Sequence, residues 1–282
     1  SQSIWRWKRI TLYSRIFIKK IGNRIGEKIM IPKIIHYIWV GGKEKPDDVK
    51  KCIETWKKHC PGYEIKEWNE NNFDIHSHPF VEAAYEAKKW AFVGDYIRAY
   101  AIYNEGGIYM DTDVLVLKPL DKLLENKAFV GYENKELPFT ATFGAEPKHP
   151  FVKKIMESYD NKRKTFNPED ANTIQVKKIL MEEYGCRLGN KEQDLNDGLH
   201  VYKSKILCQP SMKSITIHVF SGSWIDGKRR WITDLDRKFR LHLTNHIIIL
   251  LYIPFKRLVI ILKWFGRLGL KIKQKFSKNV DN

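Results

Sequence analysis

Two aspartates one residue apart, Asp111 and Asp113, are the side chains in this 282-residue sequence that point most directly to chemistry. They lie between β-forming runs at 108–110 and 114–117. Side chains two residues apart on a strand share a face, where two carboxylates repel each other unless a positive charge lies between them. Mg²⁺ and Mn²⁺ prefer such oxygen ligands. The pair predicts a strand that holds a divalent cation; two hydrated acids at a strand end are the alternative.

A segment just upstream carries a second pair of charged residues, Asp95 and Arg98. Apolar residues recur at helical spacing from Trp90, and two glycines at 106 and 107 end the pattern as a helix C-terminus does. Asp95 and Arg98 are three residues apart, so they share one face of this predicted helix. A surface ion pair is the simplest interpretation. Their neighbours are mostly apolar, however, and the helix leads directly into the aspartate strand, which favours contact with a ligand.

The elements that must position these residues follow an alternating α/β pattern within residues 30–227. Short β-branched and aromatic runs predict strands, and helical periodicity with capping signals predicts helices between them. In an open α/β sheet, ligands bind at the carboxyl ends of the strands. The predicted strands are 34–40, 64–68, 108–117 and 214–219, with short strands near Leu207, and the predicted helices before Trp90 are 47–59 and 79–91.

The net charge of +17 at pH 7 is concentrated at the two ends of the chain. Residues 1–29 carry eight Lys and Arg against one acid, and residues 228–282 carry fourteen against three. The central residues 30–227 are therefore near neutral, which argues against a nucleic-acid groove. The sequence predicts no nucleic-acid partner.

Both ends interleave apolar and basic residues and are predicted to form amphipathic helices. Residues 1–29 lack the uninterrupted apolar stretch of a signal peptide, and the apolar run at 247–255 is too short to cross a bilayer. Such helices are typical of proteins that lie on an anionic membrane surface. Packing on the protein's own core at the N-terminal end, and oligomerisation at the C-terminal end, are the alternatives. The four cysteines show no metal or disulfide spacing, which fits the cytoplasmic face of the membrane.

Four motifs, taken together, resemble the DXD-motif sugar transferases. This family, similar to glycosyltransferase family 32, includes capsule and exopolysaccharide transferases and Och1-type mannosyltransferases, with the large clostridial glucosylating toxins as distant relatives. The resemblance spans about residues 30 to 225. The motifs are H-Y-I-W at 36–39, G-D-Y-I-R at 94–98, G-G-I-Y-M-D-T-D at 106–113 and H-V-F-S-G-S-W at 218–224.

The resemblance implies a GT-A fold, a mixed nucleotide-sugar-binding sheet flanked by helices. It further implies Mn²⁺ or Mg²⁺ as cofactor, a UDP- or GDP-sugar as donor, and retention of anomeric configuration. The expected product is a hexose added to a glycan acceptor, with a lipid-linked acceptor in surface polysaccharide or capsule synthesis predicted from the membrane-binding ends.

The resemblance also implies roles for individual residues. Asp111, Asp113 and His218 would hold the metal, with a satisfied core histidine as the alternative for His218. Asp95 would orient the donor sugar, and Arg98 would reach the sugar and phosphate. Asp95, Arg98 and Asp113 are therefore the predicted catalytic residues. The predicted donor-binding residues are Trp39, Asp95, Arg98, Tyr109, Asp111, Ser223 and Trp224, with a plain core aromatic as the alternative for Trp39.

Two other function classes remain open from the sequence. Asp111 and Asp113, followed by Val114, also imitate the signature of haloacid-dehalogenase phosphohydrolases, although that family places it on its first strand. The second class is a non-enzymatic basic protein that binds membranes.

Overall fold

The computed structural model describes residues 31–139, 141–160, 166, 172–221, 231–255 and 257. The predicted N-terminal extension and two predicted donor-binding residues, Ser223 and Trp224, lie outside the described residues. The division of the chain at residues 29 and 227 stays a prediction.

Nine strands in the described part of the chain form two sheets. The larger sheet is mixed, with strand order β2-β1-β3-β6-β5-β8-β7, and β4 and β9 form a separate antiparallel pair. The strands are β1 (Ile34–Ile38), β2 (Glu64–Trp68), β3 (Gly107–Met110), β4 (Val114–Val116), β5 (Ala128–Gly131), β6 (Thr142–Ala145), β7 (Gln193–Asp194), β8 (Leu199–Tyr202) and β9 (Thr216–His218).

Helices cover both faces of the larger sheet. Successive side chains of a strand point to opposite faces, so each strand contributes to the core on both sides of the sheet. In β3, Tyr109 packs into one apolar core and Ile108 and Met110 into the other. This arrangement confirms the predicted mixed α/β sheet flanked by helices. The helices are α1 (Asp47–His59), α2 (Pro79–Glu86), α3 (Trp90–Glu105), α4 (Pro150–Glu157), α5 (Asn172–Glu182), α6 (Ser204–Leu207), α7 (Trp231–Arg240) and α8 (246–255).

The turn between α3 and β3 is built around two glycines with positive φ, 69° at Gly106 and 102° at Gly107. A Cβ on Gly107 would lie 2.7 Å from the carbonyl oxygen of Ile34, so no other residue fits without displacement. His36 holds the turn: its Nε2 donates to the Gly106 carbonyl at 2.8 Å, and its Nδ1 accepts from Trp68 Nε1 at 3.0 Å. The ring is fully buried, and this burial lowers the pKa of His36.

Several predicted elements differ in the structure, and the strands predicted at 34–40 and 214–219 are shorter, at Ile34–Ile38 and Thr216–His218. The helix predicted over 79–91 ends at Glu86, because Lys88 adopts a left-handed φ of 55° and α3 then begins at Trp90. The strands predicted near Leu207 are instead the short helix α6, in which Cys208 N donates to the Ser204 carbonyl at 2.9 Å. α1 and β2 have their predicted bounds.

The described part of the basic C-terminal segment packs on the small sheet. Leu243, Ile249 and Tyr252 are buried in one cluster with Leu115 of β4 and Ile217 of β9. The opposite side of α8 is solvent-exposed, with Ile247 74%, Leu250 53% and Leu251 73% accessible. Among the described residues, no helix has the length and apolar character needed to span a bilayer.

Candidate active site

The two aspartates lie in a turn, so the prediction that one strand carries both is wrong. β3 ends at Met110, Asp111 N donates to the Ala141 carbonyl at 2.9 Å, and Val114 N donates back to the Asp111 carbonyl at 3.1 Å. After this turn the chain leaves the large sheet and enters β4, which pairs with β9. The turn still brings the carboxylates together, because it reverses the chain locally between them.

His218 reaches the aspartates through the pairing of the small sheet. It is the last residue of β9 and lies opposite Val114, the residue after Asp113. Its Nε2 is 3.3 Å from Asp113 Oδ1. One ligand atom each from Asp111, Asp113 and His218 can be chosen so that all three lie within 4.8 Å of one another.

Each carboxylate of this group is oriented by a hydrogen-bond donor. Tyr109 donates its hydroxyl proton to Asp111 Oδ1 at 2.7 Å, and Ser221 N donates to Asp113 Oδ2 at 2.6 Å. Such supporting donors are usual for carboxylates that bind metals. Two oxygens and one imidazole nitrogen at this spacing fit a divalent cation.

Asp113 and His218 form a largely buried ion pair, with side chains 14% and 13% exposed. Burial alone would raise the pKa of Asp113, but the adjacent His218 and the Ser221 N–H hold it well below its usual range. Burial likewise opposes charging of His218, yet the Asp113 carboxylate holds the pKa of His218 above its ordinary value. A metal cation binds the neutral imidazole, so binding at His218 would release any proton that the ring carries.

Arg98 joins Asp95 to the aspartate turn. Its guanidinium lies 3.0 Å from Asp95 Oδ1 and 3.3 Å from Asp111 Oδ1, and it stacks 4.6 Å above the Tyr109 ring. Arg98 and Asp95 are only 9% and 6% exposed, so the surface-ion-pair interpretation is wrong. Burial opposes the charged form, but Tyr109, Asp111 and Asp95 together raise the pKa of Arg98. The structure thus brings Asp95, Arg98, Tyr109 and Asp111 into one cluster.

Trp39 lies one residue past the carboxyl end of β1. It is half-buried, its Nε1 donates to the Lys43 carbonyl at 2.6 Å, and its ring packs partly against the core that contains α1. Its predicted stacking on a ligand stays a prediction.

Two charged residues near the centre were not predicted from the sequence. Glu133 follows β5 and interacts electrostatically with His218, Asp111 and Arg240; its burial raises the pKa of the Glu133 carboxyl. Arg240, at the end of α7, donates to the His218 carbonyl at 3.1 Å. Neither has a local sequence signal, because only tertiary contacts bring them to the site.

Comparison with known proteins identifies the same region. Residues 46–130 match the family model of the glycosyltransferase sugar-binding region containing DXD motif. This range includes Asp95, Arg98, Tyr109, Asp111 and Asp113.

Curated relatives and a solved structure are similar over part of their length. Inositol phosphoceramide mannosyltransferase 1 of Schizosaccharomyces pombe is 27% identical, over 45% of this chain and 42% of that protein. The uncharacterized glycosyltransferase L373 of Acanthamoeba polyphaga mimivirus is 30% identical, over 46% of this chain and 55% of that protein. A glycosyltransferase involved in the glycosylation of the major capsid of PBCV-1 gives a TM-score of 0.41 at 14% identity, over 74% of this chain and 100% of that chain.

The chain spans about half the length of the curated relatives it matches. The match of residues 46–130 to the glycosyltransferase sugar-binding region containing DXD motif confirms the resemblance stated from the sequence.

Proposed function

We propose that the protein is a metal-dependent glycosyltransferase that moves a hexose from a UDP- or GDP-sugar to a glycan acceptor with retention of configuration. The observation that carries this proposal is the meeting of two charged groups at the Asp111–Asp113 turn. One is the ligand set Asp111, Asp113 and His218, and the other is the buried Asp95–Arg98 pair. The family match over the same residues supports it.

The chain's residues have distinct roles in this proposal. Asp111, Asp113 and His218 hold the cation, which would supply Lewis-acid stabilisation to the leaving diphosphate. Arg98 places a second positive charge beside them for the donor phosphates, and Asp95 orients the sugar hydroxyls. The acceptor hydroxyl attacks from the face that the diphosphate leaves, within an ion pair. Isolation of a covalent glycosyl-enzyme adduct by mass spectrometry would contradict this same-face route.

A donor-hydrolysis screen tests the activity. UDP- and GDP-sugars are offered with Mn²⁺ or Mg²⁺, with EDTA as control, and nucleotide release is measured. GDP-mannose comes first, because several relatives are named mannosyltransferases. Metal-dependent release from one donor supports the proposal, whereas a folded protein that hydrolyses none of them contradicts it.

The haloacid-dehalogenase alternative has lost its basis. Its signature belongs on the first strand, whereas Asp111 and Asp113 follow β3, the third strand in chain order. Release of phosphate from aryl phosphates, with no nucleotide release from sugar donors, would restore it.

We further propose that the protein works at the cytoplasmic face of a membrane on a lipid-linked acceptor. Ile247, Leu250 and Leu251 form an exposed apolar face of α8, within a segment that carries fourteen Lys and Arg against three acids. An amphipathic helix of this kind binds anionic lipid through both apolar burial and charge. The relatives named for inositol phosphoceramide, itself a lipid, are consistent with such an acceptor.

Vesicle co-sedimentation tests the membrane proposal. Ile247→Glu with Leu251→Glu should abolish binding to phosphatidylglycerol vesicles, because it places charge on the apolar face. Met181→Glu is the matched control, since Met181 is an exposed apolar residue of α5 on a different helix. Equal binding by both variants, or equal binding to neutral phosphatidylcholine, would contradict the proposal.

A further inference from the structure

The imidazole of His218 packs against Phe220, and Phe220 in turn contacts Arg240. The Phe220 ring lies 4.0 Å from the His218 ring, centroid to centroid, at an interplanar angle of 30°. The guanidinium of Arg240 lies 5.1 Å from the centroid of the same Phe220 ring. Phe220 therefore contacts both the predicted metal ligand and a cation, and these contacts favour one position for the imidazole.

Arg240 also fixes the backbone that carries His218. Its NH1 donates to the His218 carbonyl at 3.1 Å, and its NH2 donates to Gln209 Oε1 at 3.1 Å. The His218 N–H in turn donates to the Cys208 carbonyl, next to Gln209 in sequence. The end of β9 is thus connected to the segment after α6 by its own backbone and through Arg240.

Arg240 itself is buried and anchored within its own segment. It is 5% exposed, and its Nε donates to Asp236 Oδ2 at 3.1 Å. Tyr252 of α8 donates its hydroxyl proton to the other oxygen of Asp236 at 2.5 Å. Because the Arg240 guanidinium already has several hydrogen-bond partners, it loses little additional side-chain conformational entropy when it binds the His218 carbonyl. The planar, rigid guanidinium is better suited to this role than the flexible ammonium of lysine.

The backbone at Phe220 is strained. Its φ of 62° lies in the left-handed region, which is unfavourable for a residue with a Cβ. This conformation turns the chain so that Ser221 N can donate to Asp113 Oδ2 at 2.6 Å. Such strain persists only when surrounding contacts enforce it. Arg240 contributes to that enforcement, because it binds the His218 carbonyl and contacts the Phe220 ring.

We propose that Arg240 is a positioning residue that holds His218 and the Phe220–Ser221 backbone in the geometry needed to bind the divalent cation. The C-terminal segment at 231–255 therefore completes the metal centre, in addition to any contact with lipid. The inference rests on the metal site of the proposed function, and it assigns Arg240 no contact with substrate or metal.

Mn²⁺ binding in the absence of donor, followed by the electron paramagnetic resonance of free Mn²⁺, tests this directly. Arg240→Gln should weaken Mn²⁺ binding about tenfold to a hundredfold, the usual effect of removing an outer support of a metal ligand. Phe220→Leu keeps an apolar side chain but removes the ring contacts, and should weaken binding in the same direction. It also serves if Arg240→Gln does not fold.

Arg237→Gln is the matched control. Arg237 lies on the same helix and pairs with Asp48 at 2.7 Å, but it has no described contact with residues 218–221. A general loss of stability would affect this variant too, whereas only loss of His218 positioning lowers Mn²⁺ affinity. Wild-type affinity in both Arg240→Gln and Phe220→Leu would overturn the proposal.

Asp113→Asn separates this failure from that of the proposed function. If wild type binds Mn²⁺ and Asp113→Asn does not, the metal site is supported, and the result for Arg240→Gln then tests the positioning role of Arg240 alone. If wild type binds no Mn²⁺, the metal site and the role of Arg240 are both overturned, while donor hydrolysis without metal still reports on the transferase activity.

Discussion

The two halves of the candidate site are built in different ways. The donor half, Asp95 with Arg98 and Tyr109, comes from one continuous helix–turn–strand segment, and its members contact each other within residues 95–111. The cation half joins Asp113 to His218 and Arg240, which lie more than 100 residues further along the chain. The family match covers the donor half but neither His218 nor Arg240.

The residues of the donor half are close in sequence, whereas those of the cation half are brought together by the tertiary fold. The donor half depends on the glycine turn and on the core beneath α3. The cation half also depends on β4–β9 pairing and on the packing of 231–255. Three substitutions test this contrast, from the largest expected effect to the smallest.

Asp113→Asn should cause the largest loss, because Asp113 faces both His218 and the predicted cation. Removing its charge removes the anionic partner of His218 and one ligand of the predicted cation. We expect donor hydrolysis to fall about a hundredfold to a thousandfold, similar to the loss of one key electrostatic group in other active sites. The measurement is nucleotide release at saturating Mn²⁺; a loss below tenfold would show that Asp113 is not a ligand.

Arg98→Lys tests the donor half alone. A lysine cannot replace the planar guanidinium that bridges Asp95, Asp111 and the Tyr109 ring. We expect about a tenfold to hundredfold loss of donor hydrolysis with Mn²⁺ affinity nearly unchanged. Arg187→Lys, at an exposed position, is the control. A loss of Mn²⁺ affinity as large as the loss of activity would show that the halves are not separable.

His36→Gln tests the support of the donor half and should have the smallest effect, about 1 kcal/mol of unfolding free energy at pH 7.5. The folded pKa of His36 lies below 6.5, so the unfolded chain takes up the proton first as the pH falls. The contribution of neutral His36 is therefore complete above pH 6.5 and decreases below it.

Urea unfolding at pH 7.5 and 5.5 measures this effect. Wild type should lose more stability between the two pH values than His36→Gln does. His149 keeps some pH dependence in both proteins, because burial lowers its pKa as well. Equal losses in the two proteins would contradict a role for His36 in the pH dependence.

The sequence predicted the arrangement of the residues in the donor half well, because that information is local; their binding of a donor stays a prediction. Helical spacing placed Asp95 and Arg98 on one face, and the glycine pair ended α3 where predicted. The aspartate turn was not predicted, because the apolar residues on both sides satisfy a strand pattern. The change from β3 to β4 depends on pairing with β9, about a hundred residues away.

The cation half was predicted only in part. His218 came from the family resemblance, and the structure places it beside Asp113. The role of Arg240 was not predicted, because it lies in a basic segment whose composition favours a membrane surface. Net charge does not show which arginine of such a segment is buried and which are solvated. Its burial is determined by Asp236 and Tyr252, whose contacts no periodicity reveals.

The turn between β3 and β4 has a thermodynamic consequence. Asp111 follows β3 of the large sheet, whereas Asp113 directly precedes β4 and His218 ends β9 of the small sheet. A cation that needs all three binds only when both sheets are in place, and it stabilises that arrangement by mass action. Amide hydrogens of β9 should then exchange more slowly as the cation concentration rises, while those of β1 stay unaffected. The metal would serve as a cross-link between two cooperative units as well as a charge for the donor.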